Sequence, residues 1–443
     1  MMGRENIGQA AVDQTGPTYS REPPVLALPA VIAFEAFDSI AAQEGLLSRQ
    51  VGLGYNNAKP NQPNHLERQL RFSNVRLASI GAEIPSEVWT SQFIEQALQP
   101  LYRRLKLPEG RLELMSGIAQ RRVWPSGTLP SGPSIASGNS ALEASSVERD
   151  RIGCLIHASV CRDFLEPATA SRVHHGLRLS HDCWVYDVSN ACLGLLNGAV
   201  QIAQMIEGGV IEAGIVVGTE NSRPLLEQTI AALNDDQSLT RKSVKPAFAS
   251  LTIGSGSCAW LLAHRRLAPD ATPIEVAIAE ARTEFHDLCM SDQDAAGASM
   301  QPLMDTDSER LMAEGIATGQ AAFSRLLEQS GWSREQIDRT ICHQVGARHR
   351  TGMLQAMGLD QDRDSVTFPV LGNTGSVALP MTLAAAAARG ELKLGDRVAM
   401  LGIGSGINSV MLASTWGDTK VSGTLAASMG SQLDSSPGVQ AAI

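Results

Sequence analysis

Unbroken apolar runs, rather than alternating ones, mark the strands of this chain. I-G-C-L-I-H-A-S-V (152–160), A-G-I-V-V-G-T-E (213–220) and R-V-A-M-L-G-I-G-S-G (397–406) show little alternation of apolar and polar residues. Strands of this kind belong to sheets that are covered on both faces. The segment 193–206 has helical spacing, but its apolar positions nearly surround the axis, which predicts a helix buried between other layers.

The same order of elements occurs twice along the chain. A strand is followed by a second strand, a turn, a buried helix and a further strand, first at 152–220 and again at 337–406. In this alignment His157 corresponds to His343, and Gly218 corresponds to Gly402. The repeat predicts an α/β fold of two duplicated halves packed as a layered sandwich, although ordinary alternating α/β proteins can imitate such a repeat.

Composition divides the chain into four segments. Residues 1–71 are rich in Gln, Asn, Pro and Gly and predict a poorly ordered extension. Residues 417–443 are rich in Ser, Gly and Ala and predict a flexible tail. Between them we expect one half at 72–245, which holds a candidate nucleophile, and a second half at 246–416.

Charge and cysteine content indicate which partners and which cellular compartment to expect. The 443 residues carry a net charge of −10, which disfavours nucleic acid as the main partner. Seven unevenly spaced cysteines argue against a secreted disulfide framework and for a reducing compartment, so we expect a cytoplasmic protein. The apolar run at 25–34 is short and contains Pro29, so it predicts neither a transmembrane helix nor a signal peptide.

One cysteine, Cys192, stands in D-V-S-N-A-C-L-G (187–194), where a polar turn meets the buried helix. Unpaired amide N–H groups and a partial positive charge at a helix start stabilise a thiolate and can bind a developing oxyanion. These properties suit a nucleophile whose pKa is lowered. A buried structural cysteine is the alternative, and this stretch alone leaves both interpretations open.

Three further residues are candidates for the same site. His343 ends a strand, where α/β folds place ligands, and Asn373 lies in the glycine-flanked turn that corresponds to the Cys192 turn. Equivalent turns of duplicated halves tend to meet, which places Cys192 and Asn373 at one site within reach of His343. Cys192, His343 and Asn373 are therefore predicted to form a set suited to thioester chemistry. Ser405 lies in a tight turn, and its backbone N–H is expected near the reacting centre. Taken singly, the histidine and the asparagine are more typical of structural roles.

No metal ion or cofactor is expected. The glycines of G-I-G-S-G-I-N (402–408) follow a strand, but no complete βαβ unit and no ribose-binding acid accompany them, so they do not predict a dinucleotide site. A group of histidines and cysteines in the first half lacks the pair spacings typical of zinc sites. Its members are His157, Cys161, His174, His175, His181 and Cys183.

Taken together, these residues resemble the thiolase superfamily in its 3-oxoacyl-(acyl-carrier-protein) synthase III branch. The motifs that carry the resemblance across about 72–416 are S-G-I-A-Q-R-R-V-W (116–124), D-V-S-N-A-C-L-G (187–194), C-H-Q-V-G (342–346), G-N-T-G-S-V-A-L-P (372–380) and G-D-R-V-A-M-L-G-I-G-S-G (395–406). The resemblance implies a five-layered αβαβα fold, a homodimer, acylation of Cys192 and a Claisen condensation. His343 and Asn373 would hold an enolate oxygen, while the backbone amides of Cys192 and Ser405 would hold the thioester oxygen.

Within that branch the chain is most similar to the OleA-type enzymes, which condense two long-chain acyl-CoA molecules in bacterial olefin biosynthesis. V-C-R-D-F-L-E-P-A-T-A (160–170) and L-G-I-G-S-G-I-N (401–408) are the further cues. Glu166 matches the position of the proposed base, which removes an α-proton in the active site of the neighbouring subunit. The resemblance therefore implies an acyltransferase that takes acyl-CoA, or an acyl-carrier protein, and forms a 2-alkyl-3-keto acid without decarboxylation.

Two other functions stay open. A decarboxylating 3-oxoacyl-(acyl-carrier-protein) synthase III would use a malonyl donor, and Glu166 would then be structural. A non-catalytic scaffold with a thiolase-like fold is the second alternative, but a scaffold would not need Cys192, His343 and Asn373 together.

Overall fold

The computed structural model describes residues 70–290 and 305–433. The strands in this part of the chain are β1 (Leu70–Arg71), β2 (Val75–Glu83), β3 (Glu87–Thr90), β4 (Gln120–Val123), β5 (Ile152–Ala158), β6 (Trp184–Val188), β7 (Ala213–Glu220), β8 (Gly256–His264), β9 (Thr272–Pro273), β10 (Val276–Ala281), β11 (Cys289–Met290), β12 (Asp305–Thr306), β13 (Arg339–Cys342), β14 (Arg397–Gly404), β15 (Asn408–Thr415) and β16 (Lys420–Ser422).

The helices in the same part of the chain are α1 (Ser91–Ala97), α2 (Gln99–Leu105), α3 (Arg111–Ser116), α4 (Ser131–Ala144), α5 (Thr169–Leu177), α6 (Gly194–Glu207), α7 (Arg223–Asp235), α8 (Ser308–Ser330), α9 (Ala347–Met357), α10 (Phe368–Leu371), α11 (Ala378–Ala388) and α12 (Thr424–Leu433). None of these helices is both long and apolar enough to cross a membrane.

The first sheet has the strand order β16-β2-β8-β7-β5-β6, and β9 also pairs with β2. β5 runs parallel to β6 and β7, whereas β7, β8 and β2 are antiparallel neighbours. The predicted boundary between 72–245 and 246–416 precedes β8 and β9, which pair in this first sheet. The boundary therefore needs correction: the first half continues to Thr272–Pro273, because backbone pairing and not composition decides which sheet a strand joins.

The second sheet has the strand order β1-β10-β15-β14-β13. β13 is parallel to β14, and the other neighbours are antiparallel. β14 and β15 pair from residue 397 opposite 415 to residue 404 opposite 408, which leaves residues 405–407 as the tight turn that the glycine pattern predicts. β1 belongs to this sheet, so Leu70 and Arg71, which composition assigns to the extension, are part of the fold.

Five layers follow from the packing of apolar side chains. α6 and α11 lie between the sheets, and their side chains share one core with residues of both sheets. α4 and α5 pack on the outer face of the first sheet, while α8 and α9 cover the outer face of the second. α11 has nine buried residues and α6 has eight, because each must face a sheet on two sides. The predicted duplicated αβαβα sandwich is confirmed.

The repeat holds with one exception. Where the first half has the strand β6 before its turn, the second half has the short helix α10. Pro369 stands in the first turn of α10, where its missing N–H and fixed φ favour a helix start and disfavour a sheet ladder. The repeat predicted that residues 366–371 (V-T-F-P-V-L) form the second strand of the second half, and this prediction is wrong.

The C-terminal tail departs from expectation as well. β16 pairs with β2 in parallel register, and the Thr419 hydroxyl donates to the Leu77 carbonyl at 2.7 Å. α12 buries Leu425 against the central core. Residues 417–433 are thus part of the fold, because an alanine- and serine-rich segment can still pair and pack when a partner surface is present. The rest of the predicted tail and the extension at 1–69 lie outside the described residues.

A smaller cluster of elements lies beside the five layers. β3 and β4 form a two-stranded sheet, and apolar side chains of α1, α2, α3 and α7 pack around it. Ile94, Leu98 and Leu101 are fully buried there. This cluster forms one wall of the groove described below.

Candidate active site

Cys192 lies in the turn between β6 and α6, two residues before the helix begins. Its neighbour Ala191 has φ +43°, the left-handed conformation that non-glycine residues rarely adopt. The Leu193 N–H closes the turn by donating to the Asn190 carbonyl at 2.9 Å. A sharp, strained turn of this kind is typical of a residue held in place for function.

The surroundings of Cys192 raise the pKa of its thiol to about 12. Burial is the main cause, and Glu220 and Cys289 add to it, while a backbone hydrogen bond opposes them. The expectation that the helix start makes this thiol acidic is therefore wrong for the single chain, because desolvation and a nearby negative charge outweigh the helix. Cys192 is a protonated thiol in this state, so its attack requires an acceptor for the proton.

The β14–β15 hairpin of the second half reaches over to the Cys192 turn. A β-carbon at residue 404 would lie 3.2 Å from Leu193 Cγ and 3.4 Å from the Cys192 backbone nitrogen, so the hairpin packs directly against the Cys192 turn. The Asn408 side-chain amide donates to Asn190 Oδ1 at 3.4 Å. Ser405 directly follows Gly404, which places the predicted tight turn beside Cys192.

His343 directly follows β13, and only 4% of it is exposed. Its backbone N–H donates to the Leu401 carbonyl of β14 at 3.1 Å, whereas its Nδ1 has no hydrogen-bond partner among the described residues. Burial, together with the neighbouring His349, lowers the pKa of His343 to about 3. A neutral imidazole results, which can accept a proton at one nitrogen and donate from the other.

Gln344 joins the histidine segment to the asparagine turn. Its side-chain amide donates to the Cys342 carbonyl at 2.8 Å. Its Oε1 accepts the N–H groups of Thr367 at 2.9 Å and Phe368 at 3.2 Å, which lie at the start of α10. Since α10 leads directly into the asparagine turn, one buried side chain sets the position of that turn relative to His343.

Asn373 is held by both its backbone and its side chain. Its N–H donates to the Thr252 carbonyl at 3.0 Å, and its carbonyl accepts the Gly254 N–H at 2.9 Å. The side-chain Oδ1 accepts the Gly375 N–H at 3.0 Å. Because the amide oxygen is occupied, the free group of Asn373 is the NH₂ donor, as an oxyanion-binding residue requires.

Contacts across the two halves bring these turns together. The Ser376 hydroxyl oxygen, three residues after Asn373, lies 3.2 Å from the Ala158 carbonyl oxygen. The same carbonyl lies 3.4 Å from the position of a β-carbon at Gly194, two residues after Cys192. His343 joins from the other side, through its backbone bond to β14. The sites predicted for the nucleophile, the histidine and the asparagine therefore lie at one end of the sandwich.

Glu166 lies elsewhere on the surface of the chain. It is exposed in the loop between β5 and α5. Asp163 braces this loop: its carboxylate accepts the Ser131 N–H at 2.8 Å and pairs with Arg172 at 2.8 Å. The role of Glu166 in a neighbouring subunit stays a prediction.

A groove of about 240 Å³ lies between α3 and the segment that follows α7. Its walls combine cations with apolar side chains, and they include Leu107, Arg111, Met115, Arg241, Lys245 and Phe248. Met115 of the groove precedes Ser116, whose carbonyl lies 2.7 Å from where a β-carbon of Gly346, three residues after His343, would be.

Two of the curated proteins that match most of this chain carry the same name. The acyl-CoA:acyl-CoA alkyltransferase of Shewanella oneidensis is 36% identical over 351 residues, which is 78% of this chain and 100% of that protein. The protein of the same name from Xanthomonas campestris is 34% identical and covers 78% of this chain and 99% of its own length. The chain belongs to the acyl-CoA:acyl-CoA alkyltransferase family.

Other comparisons agree with this family. The model for the C-terminal part of 3-oxoacyl-[acyl-carrier-protein] synthase III matches residues 327–416. A crystal structure of Xanthomonas campestris OleA has a TM-score of 0.74 and 33% identity, covering 78% of this chain and 98% of its own. Another structure of that OleA, a cysteine-to-serine variant with bound lauric acid and lauroyl-CoA, has a TM-score of 0.73. Membership in this family makes the chain an acyltransferase and removes the non-catalytic scaffold as an interpretation.

Sequence reasoning missed one residue of the site, the buried carboxylate of Glu220. An acidic residue at the carboxyl end of the apolar run A-G-I-V-V-G-T-E was the available signal, because such a charge is costly to bury without a partner. The histidines and cysteines tested as a zinc site do not converge: within residues 70–290 and 305–433, no three His, Cys, Asp or Glu side chains lie close enough to bind a metal ion. All seven cysteines are free thiols.

Proposed function

We propose that this alkyltransferase-family member joins two long-chain acyl-CoA molecules head to head, without decarboxylation, and releases a 2-alkyl-3-keto acid. The observation that carries the proposal is the meeting of the Cys192, His343 and Asn373 segments at one end of a thiolase-like sandwich. Family membership at 36% identity supports the choice of two ordinary acyl thioesters as substrates.

The first step is acylation of Cys192. The sulfur attacks the thioester carbonyl of the first acyl-CoA while its proton passes to the neutral imidazole of His343. The backbone amides of Cys192 and Ser405 hold the developing oxyanion. The C–S bond to CoA then breaks, and the CoA sulfur takes up the proton.

The second step is condensation. Glu166 of a neighbouring subunit removes the α-proton of the second acyl-CoA, and the enolate oxygen is held by the Asn373 amide and by His343. The enolate carbon forms a bond to the acyl carbon on Cys192, and the Cys192 sulfur leaves and regains a proton. Water then cleaves the remaining CoA thioester, which gives the keto acid and a second free CoA. None of these steps needs a metal ion or a cofactor.

A homodimer is part of the proposal. β6 is the edge strand of the first sheet, and its Trp184 is 63% exposed. Val160, Phe164 and Leu165 expose their apolar side chains in the loop that carries Glu166. A second copy that covers this edge would bury both features and bring Glu166 towards another active site.

The groove beside α3 supports a nucleotide-bearing substrate. Arg111 and Lys245 offer charges for phosphate groups, while Phe248 and Met115 offer apolar surfaces. Acyl-CoA, rather than a free fatty acid, fits this combination. A carrier protein as a donor and a cytoplasmic location are the remaining parts of the proposal.

A decarboxylating synthase is the second candidate, and two similarities favour it. Residues 327–416 match the C-terminal family model of the 3-oxoacyl synthases, and a β-ketoacyl synthase III of Streptomyces coelicolor is 26% identical over 77% of this chain. In that function a malonyl donor loses carbon dioxide to form the enolate, so no base at carbon is required.

One experiment separates the two candidates. Purified protein is mixed with long-chain acyl-CoA alone, and the free thiol released is counted against the β-keto product. Product without a malonyl donor supports the head-to-head condensation. Product that forms only with malonyl-carrier protein supports the decarboxylating synthase instead. Failure to detect an acyl-enzyme by mass spectrometry with any donor contradicts both functions.

A further inference from the structure

Glu220 is a buried carboxylate at the carboxyl end of β7, and only 5% of it is exposed. Its Oε1 accepts three hydrogen bonds, from the Ser376 hydroxyl at 2.5 Å, the Ser376 N–H at 3.3 Å and the Val160 N–H at 3.3 Å. A buried carboxylate is tolerated only when donors compensate for its lost hydration. Two of the three donors belong to a single residue in the other half of the fold.

The carboxylate and the asparagine turn are packed without a gap. Gly375 has φ +54°, and a β-carbon there would lie 3.1 Å from Glu220 Cδ. The Trp124 indole N–H donates to the Glu220 carbonyl at 3.1 Å, which fixes the backbone of Glu220 as well. Glu220 is therefore a rigid support rather than a side chain that adapts to the turn.

Glu220 is connected to Asn373 through Ser376 and Gly375. Ser376 is bound by Glu220, and Gly375, the residue before it, donates its N–H to Asn373 Oδ1 at 3.0 Å. If the segment 375–376 shifts, the partner that orients the Asn373 amide shifts with it. The direction of the NH₂ group then changes, and oxyanion binding depends on that direction.

The charge of Glu220 also acts on the nucleophile. The charged and titratable groups that raise the pKa of the Cys192 thiol are Glu220 and Cys289. Glu220 likewise raises the pKa of the Cys161 thiol, which burial raises first. The carboxylate that packs against the Asn373 turn therefore also acts electrostatically on Cys192.

We infer that Glu220 is a positioning residue for the condensation: it binds Ser376 across the two halves and so aims the Asn373 amide at the enolate oxygen. It does this without touching the substrate itself. The role of Asn373 in this inference rests on the proposed function.

A double-mutant cycle tests the route through Asn373. Glu220→Ala is expected to lower the condensation rate about 10- to 100-fold while acylation of Cys192 stays within about threefold of the wild type. In an Asn373→Ala background, Glu220→Ala should lower condensation no further, because both changes remove the same function. Glu220→Gln keeps an acceptor for Ser376 and should restore most of the rate. An equal loss from Glu220→Ala in both backgrounds, or an equal loss of acylation, overturns the inference.

A substrate-free measurement keeps the test independent of the proposed function. Iodoacetamide alkylation of Cys192 is followed against pH in the wild type, in Glu220→Gln and in the control Glu275→Gln. Glu275 is a half-buried carboxylate that accepts the Thr415 hydroxyl, away from the site. Loss of the Glu220 charge lowers the pKa of the thiol, so the alkylation profile should move to lower pH only in Glu220→Gln.

An unchanged profile in Glu220→Gln means that the carboxylate is not beside the nucleophile, and the inference fails. If instead the wild type forms no product from acyl-CoA alone, the proposed function fails. The same cycle is then measured with a malonyl thioester donor, whose enolate also requires the Asn373 amide.

Discussion

The Cys192 turn and the Asn373 turn occupy equivalent places in the two halves, yet they are supported differently. The Cys192 turn follows a strand, contains the strained residue Ala191 and is packed against Gly404 of the second half. The Asn373 turn follows the short helix α10 and is bound through Ser376 to Glu220 of the first half. Each turn is therefore supported by a residue of the opposite half. Duplication supplied two similar turns, of which one carries a nucleophile and the other a hydrogen-bond donor. Contacts across the halves hold both turns in place.

The largest expected effect comes from removing the nucleophile of the first turn. Cys192→Ala should lower turnover by at least about 10³-fold, because no other thiol is placed to form the acyl-enzyme. Intact-protein mass spectrometry after mixing with long-chain acyl-CoA measures this. Cys289→Ala, a thiol change nearby, serves as the control and should still acylate. An acyl adduct of undiminished yield in Cys192→Ala would contradict the role of this turn.

Changing the donor of the second turn should affect only the later step. Asn373→Asp retains an oxygen for the Gly375 N–H but lacks the NH₂ group, so condensation should fall about 10²- to 10³-fold. Acylation of Cys192, measured in a single turnover, should persist. If both steps fall together, the two turns do not divide the chemistry between them.

A pair of glycine substitutions sharpens the comparison further. Gly375→Ala introduces a β-carbon at φ +54° and 3.1 Å from Glu220 Cδ, so we expect the free energy of unfolding to fall by about 1–3 kcal/mol. Condensation should slow more than acylation. Gly404→Ala places a β-carbon 3.2 Å from Cγ of Leu193, the residue after Cys192, and acylation should slow instead.

Urea unfolding and single-turnover kinetics measure the two glycine effects. The exposed Gly110→Ala, where nothing lies within 4 Å of the new β-carbon, is a control for a left-handed glycine away from the site. The same kinetic defect in both active-site variants would mean that the turns act as one unit.

The smallest effect concerns the equivalent histidines His157 and His343. Burial lowers the pKa of His157 to about 4 and that of His343 to about 3, against about 6.5 in the unfolded chain. Below pH 6.5 the unfolded state binds more protons, so the stability that is present above pH 6.5 is lost as the pH falls towards these values. The slope is about 1.4 kcal/mol per pH unit for each histidine.

Urea denaturation between pH 7 and pH 5 checks the histidine prediction. His157→Gln should reduce the slope by one histidine without changing the order of the catalytic steps, because His157 lies 4.0 Å from Asp187, whose carboxylate accepts the N–H groups of Thr169 and Ala170 in the outer helix α5. Parallel pH profiles for the wild type and the variant would contradict the assignment.

Local signals were sufficient for much of the fold and of the site. Unbroken apolar runs predicted β5, β7 and β14, and the all-round apolar spacing predicted α6, because burial on both sides leaves a pattern in the sequence itself. Cys192, His343 and Asn373 were found in the same way, as residues at a helix start, a strand end and a glycine turn. The family pattern then gave these three residues a common chemistry.

Only the tertiary structure decided which residues these signals meet. β8 and β16 join the first sheet through pairing partners that are distant in sequence. α10 replaces a strand because Gln344 and Pro369 favour the start of a helix. Burial, together with the charge of Glu220, raises the pKa of the Cys192 thiol, which the sequence predicted to be acidic. By itself the sequence determined the layers and the reactive residue types, since those depend on local periodicity. It did not determine the supports of the site, because hydrogen bonds such as Glu220 to Ser376 join residues 156 positions apart.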